Sequence, residues 1–220
     1  MSDVVIFGSG DYARVAYAYL RDDSPHEVVA FTVHERYVAS EELLGLPVVP
    51  FETLDKTHPA ADHAMLVAIG FSGVNRARAA LYTECKRRGY ELITYISSQA
   101  FVSKDVEVGD NCFIFEANVI QPYVRIGNDV VIWSANHIGH DSAIEDHCFI
   151  ASQVVISGNV TIGESSFVGV NATFRDGITV APRNVIGAGA LIMKDTEEGA
   201  VYSARGTDAR PMKSWELKNF

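Results

Sequence analysis

The 220 residues include 28 acidic and 18 basic side chains, giving a net charge of −10, and 48% are hydrophobic. This balance argues against nucleic-acid backbones and anionic membranes as principal partners, while the apolar share is enough for ordinary folded cores. No apolar run approaches the ~20 residues of a membrane span, and Met1-Ser2-Asp3 leads straight into an apolar strand, so the expected location is cytoplasmic, without membrane insertion.

The first ninety-odd residues alternate strand-like and helix-like segments. Val4 to Phe7 is a short buried-strand run, followed by Gly8-Ser9-Gly10-Asp11-Tyr12-Ala13 and a helical stretch from Arg14 to Arg21. Strands are expected at Glu27–Val33, Pro47–Pro50 and Ala64–Ile69, a helix at Val74–Arg88, and a closing strand at Glu91–Ile96. Such alternation implies a small parallel α/β sheet, Rossmann-like, over residues 1–97. The Gly8-x-Gly10-x-x-Ala13 turn can hold a diphosphate on backbone amides and the helix N-terminus, or serve close packing alone. An acid that would take NAD ribose hydroxyls is missing from the end of the second strand, where Thr32-Val33-His34 stands with Glu35 only just beyond, so nicotinamide redox chemistry is disfavoured. A second strand-to-helix loop runs from Ala68 through Gly70 and Ser72 to Asn75 and Arg76. It belongs on the same sheet edge, where Arg76 can pair with a phosphate and Ser72 and Asn75 can cap the helix or bond a sugar. A capped helix with a solvated Arg76 is the plain alternative.

Beyond Ser97-Ser98 the chain changes character. From Val102 to Ile192 every sixth residue is Val or Ile except Phe174, and the residue four places later is nearly always small or β-branched. A fixed period of six fits neither a helix nor simple alternation, so each hexad reads as a short strand ending in a corner, and sixteen of them stack as a parallel β-helix over residues 98–196. Gly109, Gly127, Gly139, Gly163, Gly169 and Gly187 directly follow the aliphatic, and a corner needing a glycine conformation is expected there. Cys112 and Cys148 fall in the small inward register as packing residues, and Cys85 lies in a helix. The three form neither a CxxC motif nor an even disulfide set. Residues 197–220 read as a loop and tail that can cap the solenoid.

Polar chemistry concentrates in Asn136-His137-Ile138-Gly139-His140-Asp141-Ser142. Ile138 sets the frame, so His140 lies on an outer corner, available for proton transfer beside an acid. With three hexads to a coil, Gly158 lies eighteen residues on and directly above. His140 can take a proton, Asp141 or Glu145 can orient the ring, and the Gly158 amide can meet an oxyanion. His137 reads as a structural or substrate-orienting residue and His147 as peripheral. No Cys/His spacing resembles a zinc set, so no metal is expected.

The motifs VVIFGSGDYARV, AIG followed by Arg76, NHIGHDS and ISGNVTIG, in this order, resemble the sialic-acid O-acetyltransferase and nucleotide-amino-sugar N-acetyltransferase family of left-handed β-helix, hexapeptide-repeat acyltransferases. The likeness covers essentially the whole chain and is nearest to the perosamine- and bacillosamine-pathway 4-amino-sugar enzymes. It implies an α/β domain that holds the nucleotide of a sugar substrate through Gly8, Ser9, Gly10, Asp11, Tyr12, His34, Gly70 and Arg76, with Asn136 and His137 near the acceptor. It further implies a homotrimer with acetyl-CoA between neighbouring β-helices, His140 as general base, Asp141 as its partner and Gly158 as amide donor. Gly187, Ala188 and Ala190 would line the pantetheine arm, and Lys194 would meet a CoA phosphate. Val33-His34 replaces an acid pair common in the family, and Phe149 replaces a histidine. The implied activity is acetyl-CoA-dependent N-acetylation of a nucleotide-linked amino sugar in surface-glycan precursor synthesis. The alternatives are O-acetylation of a sialic acid, or a noncatalytic trimeric nucleotide-sugar scaffold. Phe167, Phe174 and Trp133 are large groups that a partner subunit can cover.

Overall fold

A computed structural model describes residues 3–209 and 211–216. In the α/β part, β1 (Asp3–Phe7), β2 (Glu27–Val33), β4 (Leu46–Pro50), β5 (His63–Val67) and β6 (Glu91–Leu92) run parallel, and β3 (Glu42–Leu43) adds an antiparallel edge to β4 that the sequence pattern did not announce. Sheet order is β3-β4-β2-β1-β5-β6, flanked by α1 (Asp11–Asp23) and α2 (Arg76–Arg87). The order reverses at β1, so the loops after β1 and β5 converge at the carboxyl edge, where α/β sheets bind ligands. Gly8 marks the convergence: its φ is +138°, and a methyl there would lie 2.7 Å from the Ala68 carbonyl oxygen.

The remainder is a triangular solenoid. Its two-residue strands pair in parallel with partners eighteen residues away, as in Phe113↔Val131↔Phe149↔Phe167 and Val119↔His137↔Val155, forming three sheets of seven, six and five strands. The rungs extend beyond the expected limits at both ends. Tyr95–Ile96, expected to close the α/β sheet, pairs with Phe113–Ile114, and Val201–Tyr202, beyond Thr196, pairs with Val185–Ile186. Of the expected 197–220 tail, residue 210 and residues 217–220 lie outside the described residues.

Interior packing follows the hexad. The Ile and Val of each rung meet Cys112, Cys148, Ala172 and Ala190 of the small register in one continuous core, each fully buried aliphatic contributing about 1.5–3 kcal/mol. Polar members of the small register bond along the stack, although Asn184 Oδ1 has no partner among the described residues. Asn118 Oδ1 accepts the Asn136 amide at 3.0 Å, Asn136 Oδ1 accepts the Val154 amide at 2.7 Å, and Ser142 Oγ accepts the Val160 amide at 3.1 Å.

The corners correct the reading of the glycines. The left-handed residue falls three places after each aliphatic, at Asn111, Ala117, Tyr123, Asp129, Ala135, Asp141 and onward, with φ between +52° and +66° at the non-glycine corners. The glycines one place after the aliphatic are needed for contact instead. A methyl on Gly163 would stand 2.6 Å from the Pro182 nitrogen, and one on Gly169 would stand 2.6 Å from the Ala188 nitrogen.

One sheet of the solenoid is covered by the α/β domain. Tyr12 and Tyr19 pack on Phe113, Phe115 and Trp133, with Phe115 and Trp133 stacked at 4.4 Å and 9°. The Tyr95 hydroxyl donates to Asp23 at 2.7 Å, the first of several hydrogen bonds that hold this carboxyl down at about 2. Trp133 and Phe167 are therefore partly covered within the chain, and Phe174 points into the prism, fully buried, so Phe174 is not a partner-facing group. The exposed apolar face is a different sheet, carrying Phe101, Val119, Val155 and Leu191 at 62%, 39%, 40% and 63% exposure. No helix among the described residues is long and apolar enough to cross a membrane.

Because coil spacing leaves no room beside Gly163, Gly163→Ala should lower unfolding free energy by about 1–3 kcal/mol in urea titrations. Burial pushes the thiols of Cys85, Cys112 and Cys148 up to about 12. The native protein should therefore leave all three unreacted with a thiol reagent at neutral pH, and all three should react after denaturation.

Candidate active site

His140 follows the rung His137–Ile138 on the corner between the sheet of Val119, His137 and Val155 and the sheet of Arg125, Ala143 and Thr161. Its amide donates to Gln121 Oε1 at 2.9 Å, which ties the corner to the coil before it. Asp141 takes the left-handed corner conformation, φ +57°, and its Oδ2 lies 2.8 Å from His140 Nδ1. A carboxylate can only accept, so Nδ1 carries the shared proton and Nε2 is the ring nitrogen left for other chemistry. Glu145 is engaged elsewhere, accepting the Glu164 amide at 2.9 Å.

On the next coil, Gly158 sits under the imidazole. A methyl at Gly158 would lie 2.8 Å from His140 Nε2, and one at Gly139 would lie 2.5 Å from the Gly158 nitrogen. Glycine at 139 lets the two coils approach, and glycine at 158 lets the ring edge stand directly over the backbone, so Nε2 borders the space above Gly158. The Gly158 amide has no acceptor among the described residues, so it is free for an incoming oxyanion.

Several other expected site residues are placed differently. Asn136 points into the prism, donating to the Trp133 carbonyl and accepting from Val154, so its amide serves the stack and does not reach an outer ligand. His137 is half-buried on the outer face of its rung, beside Val119 and Val155. Tyr12 lies against the solenoid aromatics, its phenol pushed well up by burial, and so serves the domain junction. Ala190 is in the solenoid core, and Gly187 donates to the Tyr202 carbonyl at 2.6 Å. Ala188 lines a cleft of about 420 Å³ with Phe71, Trp133, Phe149, Phe167 and Val170, while Lys194 is exposed. The Trp133 Nε1, a buried donor without a partner, belongs to a residue of that cleft.

At the sheet edge, Ser9, Gly10 and Asp11 are exposed, and Gly10 caps α1 with no side chain within 4 Å of where its Cβ would stand. The first amides of that helix have no side-chain cap, and such free N–H groups are what an anion site requires. Gly70 lies on the neighbouring loop, where Arg76 is exposed and donates to the Gly73 carbonyl at 2.9 Å. His34 is bound through Nδ1 to Glu52 at 2.8 Å, and Glu52 also accepts the Glu35 amide at 2.9 Å. An acid delivered from after β4, Glu52, thus meets His34 and the Glu35 amide just beyond β2.

A polar junction escaped the sequence reading. Arg78 and Asp129, both fully buried, pair at 3.0 Å, and Arg78 also donates to the Asp129, His147 and Cys148 carbonyls. His147 Nδ1 binds the other Asp129 oxygen at 2.9 Å, so this histidine is structural and not peripheral. Asn75 at the start of α2 donates to the Ser166 carbonyl at 3.0 Å and accepts from Arg78, which removes it from capping and from sugar binding. The only available signal was register: Asn111, Asp129 and His147 stand eighteen apart, polar at the same corner.

Residues 116–158 match the family model "Bacterial transferase hexapeptide (six repeats)". The fold matches a His-to-Asn variant of perosamine N-acetyltransferase from Caulobacter crescentus, in complex with CoA and GDP-perosamine, at TM-score 0.84 and 26% identity over 93% of this chain and 94% of that one. The acetyltransferase domain of PglB from Neisseria gonorrhoeae matches at TM-score 0.81 and 23% identity over 93% and 97%. WeeI from Acinetobacter baumannii matches at 0.77 and 18% over 91% and 96%. In repeat and fold, a left-handed β-helix with a small α/β domain, the chain is similar to CoA-binding acetyltransferases that carry the hexapeptide repeat. It shares the two-part layout of the structures just named, a small α/β unit docked on the solenoid.

The junction gives a test of its own. Arg78→Met strands the Asp129 carboxylate in a buried site and should cost about 3–5 kcal/mol of stability. Adding Asp129→Asn should recover part of that loss in the same urea unfolding experiment.

Proposed function

We propose that the protein transfers an acetyl group from acetyl-CoA to the amino group of a nucleotide-linked 4-amino-dideoxy sugar, with His140 as general base. The observation that carries this reading is the corner itself: an imidazole fixed by Asp141 on Nδ1, with Nε2 standing over Gly158, whose amide has no acceptor among the described residues. The likeness to an enzyme bound to CoA and GDP-perosamine supports the same acceptor class.

The amine lone pair attacks the thioester carbonyl carbon, the C=O pair moves to oxygen, and the Gly158 amide donates to that oxyanion. His140 Nε2 takes a proton from the now cationic nitrogen, while Asp141 stabilises the imidazolium. Collapse restores the carbonyl and breaks the C–S bond, and the sulfur leaves with the proton His140 carries. The products are the N-acetyl sugar and CoA thiol, with no covalent enzyme intermediate. Small residues Gly187 and Ala188 would border the pantetheine arm, and Lys194 a CoA phosphate. The amides after Gly8 and Gly10, with Gly70, Arg76 and His34, would hold the nucleotide.

Topology supports a homotrimer. The α/β domain covers one sheet and the two corners beside it, whereas His140 occupies the third corner, on the opposite edge of the prism. A sugar held by the α/β domain is thus on the far side from the same chain's base, and a second copy against the face of Phe101, Val119, Val155 and Leu191 would bring a base to it. The reading includes a cytoplasmic location and a role in surface-glycan precursor synthesis.

His140→Asn should lower kcat by about 10²- to 10⁴-fold with circular dichroism and melting unchanged. Thiol release from acetyl-CoA would be followed with GDP-, UDP- and dTDP-linked 4-amino sugars and with a sialic acid. Full turnover in the variant removes His140 as the base, release with the sialic acid alone favours O-acetylation, and ligand binding with no release leaves the scaffold reading.

A further inference from the structure

Position 176 repeats the register of His140 and Gly158, so the three residues stack on successive coils. The Asn159 amide donates to the His140 carbonyl at 2.9 Å, and the Gly177 amide donates to the Gly158 carbonyl at 3.0 Å. With glycine in the middle, the outer two side chains border one gap. The point where a methyl on Gly158 would stand is 2.8 Å from His140 Nε2 and 3.0 Å from Asp176 Oδ1. Asp176 is exposed, and its carboxylate has no hydrogen-bond or ion-pair partner among the described residues.

Resting on the reading of this corner as the acetyl-transfer site, we propose that Asp176 is the residue that selects an amine acceptor over a hydroxyl. An aliphatic amine is mostly cationic in neutral water, and a free carboxylate at the mouth of the gap concentrates it there. When the neutral form attacks, its nitrogen becomes positive as the C–N bond forms, and a carboxylate beside it stabilises that charge until His140 removes the proton. Asp176 exchanges no proton in the step. A hydroxyl gains little from the same carboxylate. It binds without charge, and losing its proton as it attacks builds negative charge that Asp176 repels. Asp141 does not play this part, since its Oδ2 is already committed to His140 Nδ1.

The test uses Asp176→Asn, which keeps the shape and removes the charge, in full-length protein. Initial rates are read by thiol release with UDP-, GDP- and dTDP-linked 4-amino sugars, and the 4-hydroxy counterpart of each is titrated as a competing ligand. For the amine that the native protein acetylates, kcat/KM should fall about tenfold or more, while the Ki of the hydroxyl counterpart stays unchanged. Asp176→Glu should restore part of the amine rate. An unchanged amine rate overturns the proposal, and so does a Ki that rises in parallel, since general damage to the corner weakens both ligands alike. Native protein that releases thiol with none of the amines overturns the acetyl-transfer reading first and this inference with it.

Discussion

The left-handed residue at every corner of the solenoid is the constraint on which the rest depends. An L-residue at φ near +60° costs on the order of 1 kcal/mol or more, yet the fold sets twelve non-glycine residues there, from Asn111 to Arg183. The cost is offset by what the corner makes possible: a parallel ladder in which each rung bonds the coils above and below, around a dry core of isoleucine and valine. Only a coil closed in eighteen residues keeps that register. The same corner aims Asp141 at the ring of its neighbour, so the feature that turns the chain also orients the base.

Coil spacing then shapes the site by steric exclusion. Backbones of adjacent coils approach so closely after each aliphatic that glycine is needed where no side chain fits, and Gly139 and Gly158 extend this requirement to the corner of His140. Removing side chains exposes an amide and leaves a gap, and these are what a carbonyl under attack requires. The chemistry grows out of packing and needs no loop or lid to assemble it.

Docking of the α/β unit is a separate decision of the structure. Aromatic packing around Phe115 and Trp133 supplies area, while the buried Arg78–Asp129 pair, with Asn75, Asn111 and His147 around it, supplies orientation, because charged groups out of water tolerate few alternative geometries. The pair directly seats Asn75, the residue between the 70–74 loop and α2, and thereby fixes the carboxyl edge of the sheet relative to the solenoid.

The period of six was legible by itself, since each hexad repeats the same steric demand, and so was the count of eighteen from His140 to Gly158. The α/β alternation was legible from strand and helix periodicity, though Tyr95–Ile96 was assigned to the wrong sheet, because two adjacent two-residue strands look like one. Polar residues were read less well. Asn136, Asn75, Tyr12 and His147 look available in sequence, but whether a polar side chain meets solvent or a buried partner depends on which element packs over it, and that is nonlocal. Glycine was recognised as necessary for the wrong reason, conformation in place of clearance. The amino-acid sequence by itself thus determined the solenoid, its register and the His140–Asp141–Gly158 corner, because these rest on spacing along one chain. Only the tertiary structure decided which sheet the α/β unit covers, which polar groups are spent on that junction, and that the side chains of His140 and Asp176 both reach over the glycine between them, because spacing sets a register position but not the contacts a side chain makes.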